Sequence, residues 1–415
     1  MQAFVSLIER GAINVASLIS KEVTLETVEQ VYAQLQAKEV VGIVLNYQKE
    51  ESPNACTQQT ITDKSAHVCN DTEPVPTNPL RFIPAKKDAV RVGFIGVGGF
   101  AKIKLLPIVS KIKNLSIDAV VDADMSNSMS VSRTYGAARA YSCDNELFQQ
   151  DIVDAVVIAS PHKFHCDQAL LALKNGKAVF LEKPMVTNFE QLERFRNFFT
   201  LHPHAPLCVD YNRSFAPFIQ KIKRAITARH APLMIHYRMN AGYIPKDHWI
   251  QTSVGAGRII GEACHIIELF CFLVGAKPST VSVEAIHASR DDIFPTDNFS
   301  VQIRFSEGSI CSLLYTALGH KSLSKERMEV HFDGKTIVMD DYMKLEGYGM
   351  PSSFAETTPF PDKGHAVLLD QFFTSFRKGT NATPIAWDHL NMVAELTLII
   401  DQLACQGGGV QELQQ

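Results

Sequence analysis

The stretch Arg91-Val-Gly-Phe-Ile-Gly96-Val-Gly98-Gly99-Phe100-Ala101-Lys102 decides the fold. A short apolar run ends in Gly96-x-Gly98-x-x-Ala101 and leads into an amphipathic segment, the pattern of a strand, a tight turn and a helix. Gly96 permits the turn, Gly98 lets the backbone approach a pyrophosphate, and Ala101 is small enough for the helix to pack close on the strand. The helix N-terminus would offer that anion free N–H groups and a partial positive charge. Gly99 and Phe100 complete the turn and are expected to touch the bound dinucleotide.

After a helical segment over 103–113 comes a second apolar run, Ile117-Asp-Ala-Val-Val-Asp122. Asp122 stands where an acid at the end of the second strand hydrogen-bonds the adenosine ribose. Its charge would repel a 2′-phosphate, and no Arg or Lys follows before Arg133, so NAD is expected over NADP.

Composition limits the remaining choices. A chain of 415 residues, 46% apolar, has room for two to three domains with full cores. A net charge of −4 gives no reason to expect nucleic acid or an anionic membrane surface as a partner. No apolar run reaches the ~18 residues of a membrane span and no leader pattern opens the chain, so a cytoplasmic location is expected. Cysteines are scattered, without the Cys/His spacing of a zinc site, and no metal is expected. Cys264, beside a candidate catalytic histidine, is the one thiol placed to react.

The chain divides unevenly. Residues 1–50 carry a helical stripe (Val23, Leu25, Val28, Val31, Leu35) and then a strand-like run from Val40 to Tyr47. Residues 51–87 read as a linker, polar and rich in proline near Pro74, Pro76 and Pro79. Over 88–212, strands at Val90 to Ile95, Ala119 to Asp122, Ala155 to Ala159, Ala178 to Leu181 and Leu207 to Val209 alternate with helices, which implies a parallel sheet covered on both faces. Over 213–405, strand-like runs at 233–239, 279–286, 298–305, 309–316 and 327–332 follow one another with little helix between them. This is the pattern of a largely antiparallel open sheet, closed by amphipathic segments at 365–377 and 388–404. Such an open sheet is an exposed liability unless covered, so a homodimer or homotetramer is expected.

Ala178-Val-Phe-Leu-Glu182-Lys183-Pro184 ends a strand of the parallel sheet at its carboxyl edge, where ligands of such sheets bind. Lys183 would project there as a mobile cation able to hold and polarise a hydroxyl or carbonyl.

With Ser160-Pro161-His162-Lys163-Phe164-His165 after the fourth strand, these motifs resemble the Gfo/Idh/MocA oxidoreductases over roughly residues 88–405. The resemblance implies an N-terminal Rossmann domain, a C-terminal α/β domain and NAD(P)-dependent oxidation or reduction of a sugar, nucleotide sugar or cyclitol. It also implies that Ser160, His162, His165 and Glu182 lie along the cofactor. Proteins of this fold include glycosidases that keep NAD bound and run a redox-neutral cycle, and degenerate members that only bind, so both stand as alternatives.

The segment Gly257-Arg258-Ile-Ile-Gly261-Glu262-Ala263-Cys264-His265-Ile-Ile-Glu268 resembles the family's Asp-x-Gly-x-His-x-x-Asp pattern, whose His is the proton carrier. His265 matches that His, Glu268 replaces the last Asp, and Gly261 stands where the first Asp belongs. On a regular helix Glu262 and Glu268 share a face with His265, and either carboxylate would orient the imidazole and raise its pKa. Lys183, His265 and Glu262 are therefore the expected catalytic set.

Tyr237-Arg238-Met-Asn240-Ala-Gly242, Pro245-Lys-Asp247-His248-Trp249 and the Gly257 segment resemble the C-terminal module of bi-domain oxidoreductases. Residues 1–50 are similar to the end of a zinc-type medium-chain dehydrogenase, without its zinc ligands or glycine turn. Arg238 and Asn240 share one strand face and both point at substrate or both at solvent. His248, Trp249 and Glu268 complete the candidate substrate contacts, with Trp249 as an apolar platform for a sugar ring. Lys363-Gly364-His365 reads as a helix entrance.

Overall fold

In the computed structural model the described residues are 80, 82–84, 89–148, 151–287, 293–380 and 382–413, with the backbone of 21–23 and 43–45. The chain separates into two units, Met1–Val68 and Cys69–Gln415. In the first, β1 (Lys21–Val23) pairs in parallel with β2 (Ile43–Leu45). The second strand falls within the expected run from Val40 to Tyr47, whereas Val23, the first residue of the expected helical stripe, closes a strand instead. The rest of that stripe, the medium-chain-dehydrogenase likeness and most of the 51–87 linker lie outside the described residues.

The second unit begins with a parallel sheet made of β3 (Val90–Ile95), β4 (Leu115–Val121), β5 (Arg139–Tyr141), β6 (Ala155–Ile158), β7 (Ala178–Leu181) and β8 (Leu207–Val209). Its spatial order is β5-β4-β3-β6-β7-β8, so the strand order reverses between β3 and β6. Every residue of β6, β7 and β8 is buried, as unbroken apolar runs must be when helices cover both faces. β5 escapes a sequence reading because it is a short, partly exposed edge strand, Arg-Ala-Tyr, with no apolar run.

The helices of this sheet are α1 (Leu106–Val109), α2 (Met125–Tyr135), α3 (Asp144–Phe148), α4 (His165–Lys174) and α5 (Phe189–Leu201). α1 is shorter than the expected 103–113 because a π-turn over Ala101–Leu105 precedes it. Asp124 caps α2 by accepting the Ser126 N–H, and Gly136 ends it with φ 71°.

After α6 (Pro217–Ile226) the second sheet begins with β9 (Met234–Asn240), followed by α7 (Cys264–Val274), β10 (Pro278–Ala285), β11 (Asn298–Phe305), β12 (Ile310–Thr316), β13 (Glu326–Phe332), β14 (Lys335–Asp340), β15 (Lys344–Tyr348) and β16 (Glu356–Thr357). α8 (His365–Arg377), α9 (Trp387–Cys405) and β17 (Gly408–Glu412) end the described chain. The nine-stranded order is β16-β15-β14-β13-β9-β12-β11-β10-β17, and β9 with β12 is its one parallel pair. Burial alternates along β11 and β13, so one face packs on the core and the other is open. The sheet continues past residue 405 through β17. β14 is absent from the expected strands, although Asp333-Gly334, with φ values of 45° and 70°, makes the two-residue hairpin turn that Asp-Gly favours.

Candidate active site at the carboxyl edge of the parallel sheet

The glycine turn after β3 is wedged against the loop after β6. Gly96 has φ 80°, and a Cβ there would stand 2.5 Å from the Ser160 amide nitrogen, so no side chain fits. Gly98 and Gly99 face open space, whereas Ala101 is buried where its helix meets the sheet. Asp122, directly after β4, braces the turn: its Oδ2 accepts the Val97 N–H at 2.9 Å and its Oδ1 accepts the Asp124 N–H at 3.0 Å. An obligate glycine at the close approach, bare glycines facing outward and an acid at the end of β4 fit a dinucleotide cradle.

Two loops meet beside it. Ser160 Oγ donates to Gln168 Oε1 at 2.5 Å. His165 is expected along the cofactor, yet it is buried with Nδ1 2.8 Å from Pro184 O and Nε2 2.8 Å from Ser160 O. It ties the β6 loop to the β7 loop, and burial pushes its pKa down to about 4. His162 Nδ1 lies 2.7 Å from Gly255 O, its ring meets Trp249 edge-on at 4.9 Å, and burial with the nearby Lys183 charge pushes it down to about 3. Lys183 precedes a cis peptide to Pro184, and its Nζ donates to Gly261 O at 2.7 Å. One of the three ammonium N–H groups is thereby fixed, and two remain for a ligand.

Gly261 is accounted for by His162. A Cβ on Gly261 would stand 2.9 Å from His162 Cε1 and 3.0 Å from Ile250 Cδ1, so the histidine ring fills the space a side chain at 261 would need.

His265 is buried at the start of α7, close to the Tyr211 ring, and its Nδ1 has no hydrogen-bond partner among the described residues. The expectation that Glu262 or Glu268 orients it is overturned. Ile259–Ala263 is a π-turn, whose i→i+5 spacing rotates Glu262 off the His265 face. Glu262 instead accepts from Arg258 at 2.9 Å, Lys325 at 2.7 Å and the Tyr315 hydroxyl. Burial works against its charge, but Lys325 and Arg258 outweigh that and hold it well below the carboxylate range. Glu268 accepts from Ser214 Oγ at 2.5 Å and lies 3.1 Å from His389 Nε2. The His265 pKa is accordingly lowered, not raised, first by burial and then by Arg213, Lys183, His365 and Lys363. Cys264, fully buried, has its thiol pushed up to about 11 and is inert at neutral pH.

Of the expected substrate contacts, Asn240 is buried and donates to His320 O at 2.9 Å, while Arg238 donates to Ser324 Oγ at 3.0 Å. Both hold the 318–325 loop, while Asn240 Oδ1 has no partner among the described residues. His248 is exposed and its Nδ1 accepts the Ile250 N–H at 3.3 Å. Trp249, 44% exposed, presents an open ring beside His162.

Sequence reasoning missed a second charged group. Glu326, wholly buried, accepts from Arg213 Nε at 3.0 Å, Arg213 Nη2 at 2.9 Å, Lys363 Nζ at 2.5 Å and the Tyr237 hydroxyl at 2.5 Å. Burial raises its pKa, but Arg213 and Lys363 overrule this and leave it at about 2. Lys363-Gly364-His365 was visible only as a helix entrance. Gly364, φ 87°, wedges against the turn at Asn212–Phe215, where a Cβ would meet Asn212 O at 2.5 Å. His365 then stands 3.3 Å from Asn212 Nδ2 and 6.0 Å, ring to ring, from Phe100 of the glycine turn.

A dinucleotide cradle, a strand-end lysine and a buried helix histidine, with a mostly antiparallel sheet following the parallel one, define a protein of the NAD-binding Rossmann class. The family model described as "Oxidoreductase family, NAD-binding Rossmann fold" matches residues 90–201, and the Gfo/Idh/MocA C-terminal domain matches residues 220–338. Together they span more than half of the chain, which belongs to the Gfo/Idh/MocA oxidoreductase family.

Among curated relatives, an inositol 2-dehydrogenase of Rhizobium meliloti is 25% identical over 74% of this chain and 94% of its own length. A 1-carboxy-3-chloro-3,4-dihydroxycyclohexa-1,5-diene dehydrogenase of Comamonas testosteroni is 26% identical over 56% of this chain, which spans 59% of that relative. A solved myo-inositol dehydrogenase of Lactobacillus casei, in complex with NAD(H) and myo-inositol, shares the fold with a TM-score of 0.64 at 16% identity, over 79% of this chain and 97% of that one. No helix among the described residues is long and apolar enough to cross a membrane.

Proposed function

We propose that the chain is an NAD-dependent oxidoreductase acting on a hydroxyl, or the corresponding carbonyl, of a sugar, nucleotide sugar or cyclitol. The observation that carries this reading is the meeting of Lys183 with the His265 helix. Its Nζ is held 2.7 Å from Gly261 O, one turn ahead of a buried imidazole whose Nδ1 has no partner among the described residues. Bound NAD would supply the hydride acceptor, held along Gly98, Gly99, Asp122, Ser160 and Glu182. Lys183 would hold the reacting oxygen with its two spare N–H groups and stabilise negative charge on it. His265 would take the hydroxyl proton, for which a neutral imidazole is the required form. Trp249 would stack on the ring of the substrate. Relatives named as inositol dehydrogenases support the substrate class.

The test is absorbance of reduced nicotinamide with NAD and a panel of cyclitols, free sugars and nucleotide sugars, for the wild type, Lys183→Ala and His265→Ala. A signal lost in both variants is expected. NAD binding without net reduction across the panel would favour the redox-neutral alternative.

A homodimer or homotetramer fits the same reading, because Met234 and Leu314, on the open face of β9 and β12, are exposed. Sedimentation at equilibrium reads this directly.

A further inference from the structure

Glu182 and Asp210 end adjacent parallel strands in register, directly after the paired residues Leu181 and Val209. Glu182 N–H donates to Ile158 O and Asp210 N–H to Leu181 O, both at 2.8 Å, which fixes both residues at the carboxyl edge. Both side chains are buried, and neither Glu182 Oε1 nor Asp210 Oδ1 has a hydrogen-bond partner among the described residues. Two ionised carboxylates cannot share such a place, whereas one proton between them satisfies both oxygens. Burial first, and the Asp210 carboxyl next, raise the Glu182 pKa well above the carboxylate range.

The groups around the pair leave that proton in place. Lys183 turns its amine to Gly261 O, and Arg213 is held by Glu326. His365 Nε2 is 4.0 Å from Asp210 Oδ2, but burial lowers its pKa and leaves it uncharged at neutral pH. Cys208 is raised by burial and stays a thiol, and His265 is neutral for the reasons above. The His365 ring also stands 6.0 Å from that of Phe100, so one side chain links the pair at the ends of β7 and β8 to the glycine turn.

Resting on the proposed NAD-dependent function, we infer that Glu182 and Asp210 form a proton-sharing pair that binds the two redox states of the cofactor differently. The oxidised nicotinamide carries a positive charge and the reduced ring does not. A cation beside the pair favours loss of its shared proton to solvent, and the neutral ring favours its return. Binding of NAD⁺ then releases protons that binding of NADH does not. By linkage, NAD⁺ affinity rises with pH, by up to about tenfold per pH unit, over the range where the free pair holds its proton. NADH affinity stays nearly flat there.

The experiment is titration calorimetry of the full chain with NAD⁺ and with NADH, in buffers of different ionisation enthalpy, which counts protons released per ligand bound. The expected result is greater release with NAD⁺, abolished in Asp210→Asn and in Glu182→Gln. These two near-isosteric variants check each other should one fail to fold, and the wild-type difference needs neither. Equal proton counts for the two nucleotides, or a difference that survives both variants, would overturn the inference while leaving the proposed oxidoreductase intact. Absence of binding by either nucleotide would overturn both.

Discussion

The His162 ring occupies the space in front of Gly261, so that a Cβ added at residue 261 would stand 2.9 Å from His162 Cε1. The two positions are coupled although nearly a hundred residues separate them, and the coupling explains why residue 261 carries no side chain. A Gly261→Asp substitution alone is expected to cost about 1–3 kcal/mol of stability through overpacking. Combined with His162→Ala, which clears the space, it should cost less than the sum of the two single changes. Denaturant unfolding of the four proteins reads the coupling, and strict additivity would contradict it.

His265 should act as a base that stays neutral far into acid. Burial and the surrounding cations lower its pKa below the ordinary 6.5. The neutral form therefore persists as pH falls through 6.5, and alcohol oxidation is lost only at lower pH. An acid limb of kcat/KM at or above 6.5 would contradict this. Because Glu262 is bound to Arg258, Lys325 and Tyr315, Glu262→Gln should lower the melting temperature without moving that limb.

Glu326 should make the second domain sensitive to acid. Its folded pKa of about 2 lies below the ordinary 4.5, so its stabilising contribution is complete above 4.5 and is lost as pH falls toward 2. Glu326→Gln leaves Arg213 and Lys363 facing each other without their carboxylate and should cost about 3–5 kcal/mol at neutral pH. The cost should shrink as pH drops through that window, which thermal unfolding at stepped pH would show.

Gly96→Ala should abolish nucleotide binding before it alters anything in the second sheet. A methyl group there meets the Ser160 backbone at 2.5 Å with φ 80°, so the turn must move. Quenching of protein fluorescence by NADH measures the loss, and unchanged affinity would mean that the turn is not the cradle.

The glycine turn, the strand-end lysine and the alternation of strands with helices were legible because each is local. Other features were not. The expectation that Glu262 lies beside His265 assumed a regular helical period, and the π-turn at Ile259–Ala263 changes that period without any mark in composition. Asn240 and Arg238 do share a strand face, but their contacts with the 318–325 loop come from a segment some eighty residues away and leave no local mark in the sequence.

By itself, the sequence determined a parallel Rossmann sheet, its cradle and the presence of Lys183 at the carboxyl edge, since apolar runs, glycine stereochemistry and strand ends act over a few residues. Only the tertiary structure decided which charges meet. Glu326 is brought between Arg213 and Lys363, and Asp210 beside Glu182, by strand pairing and helix docking across distant segments. In a buried site the partner of a charge sets its protonation, and that partner is chosen by packing rather than by neighbours along the chain.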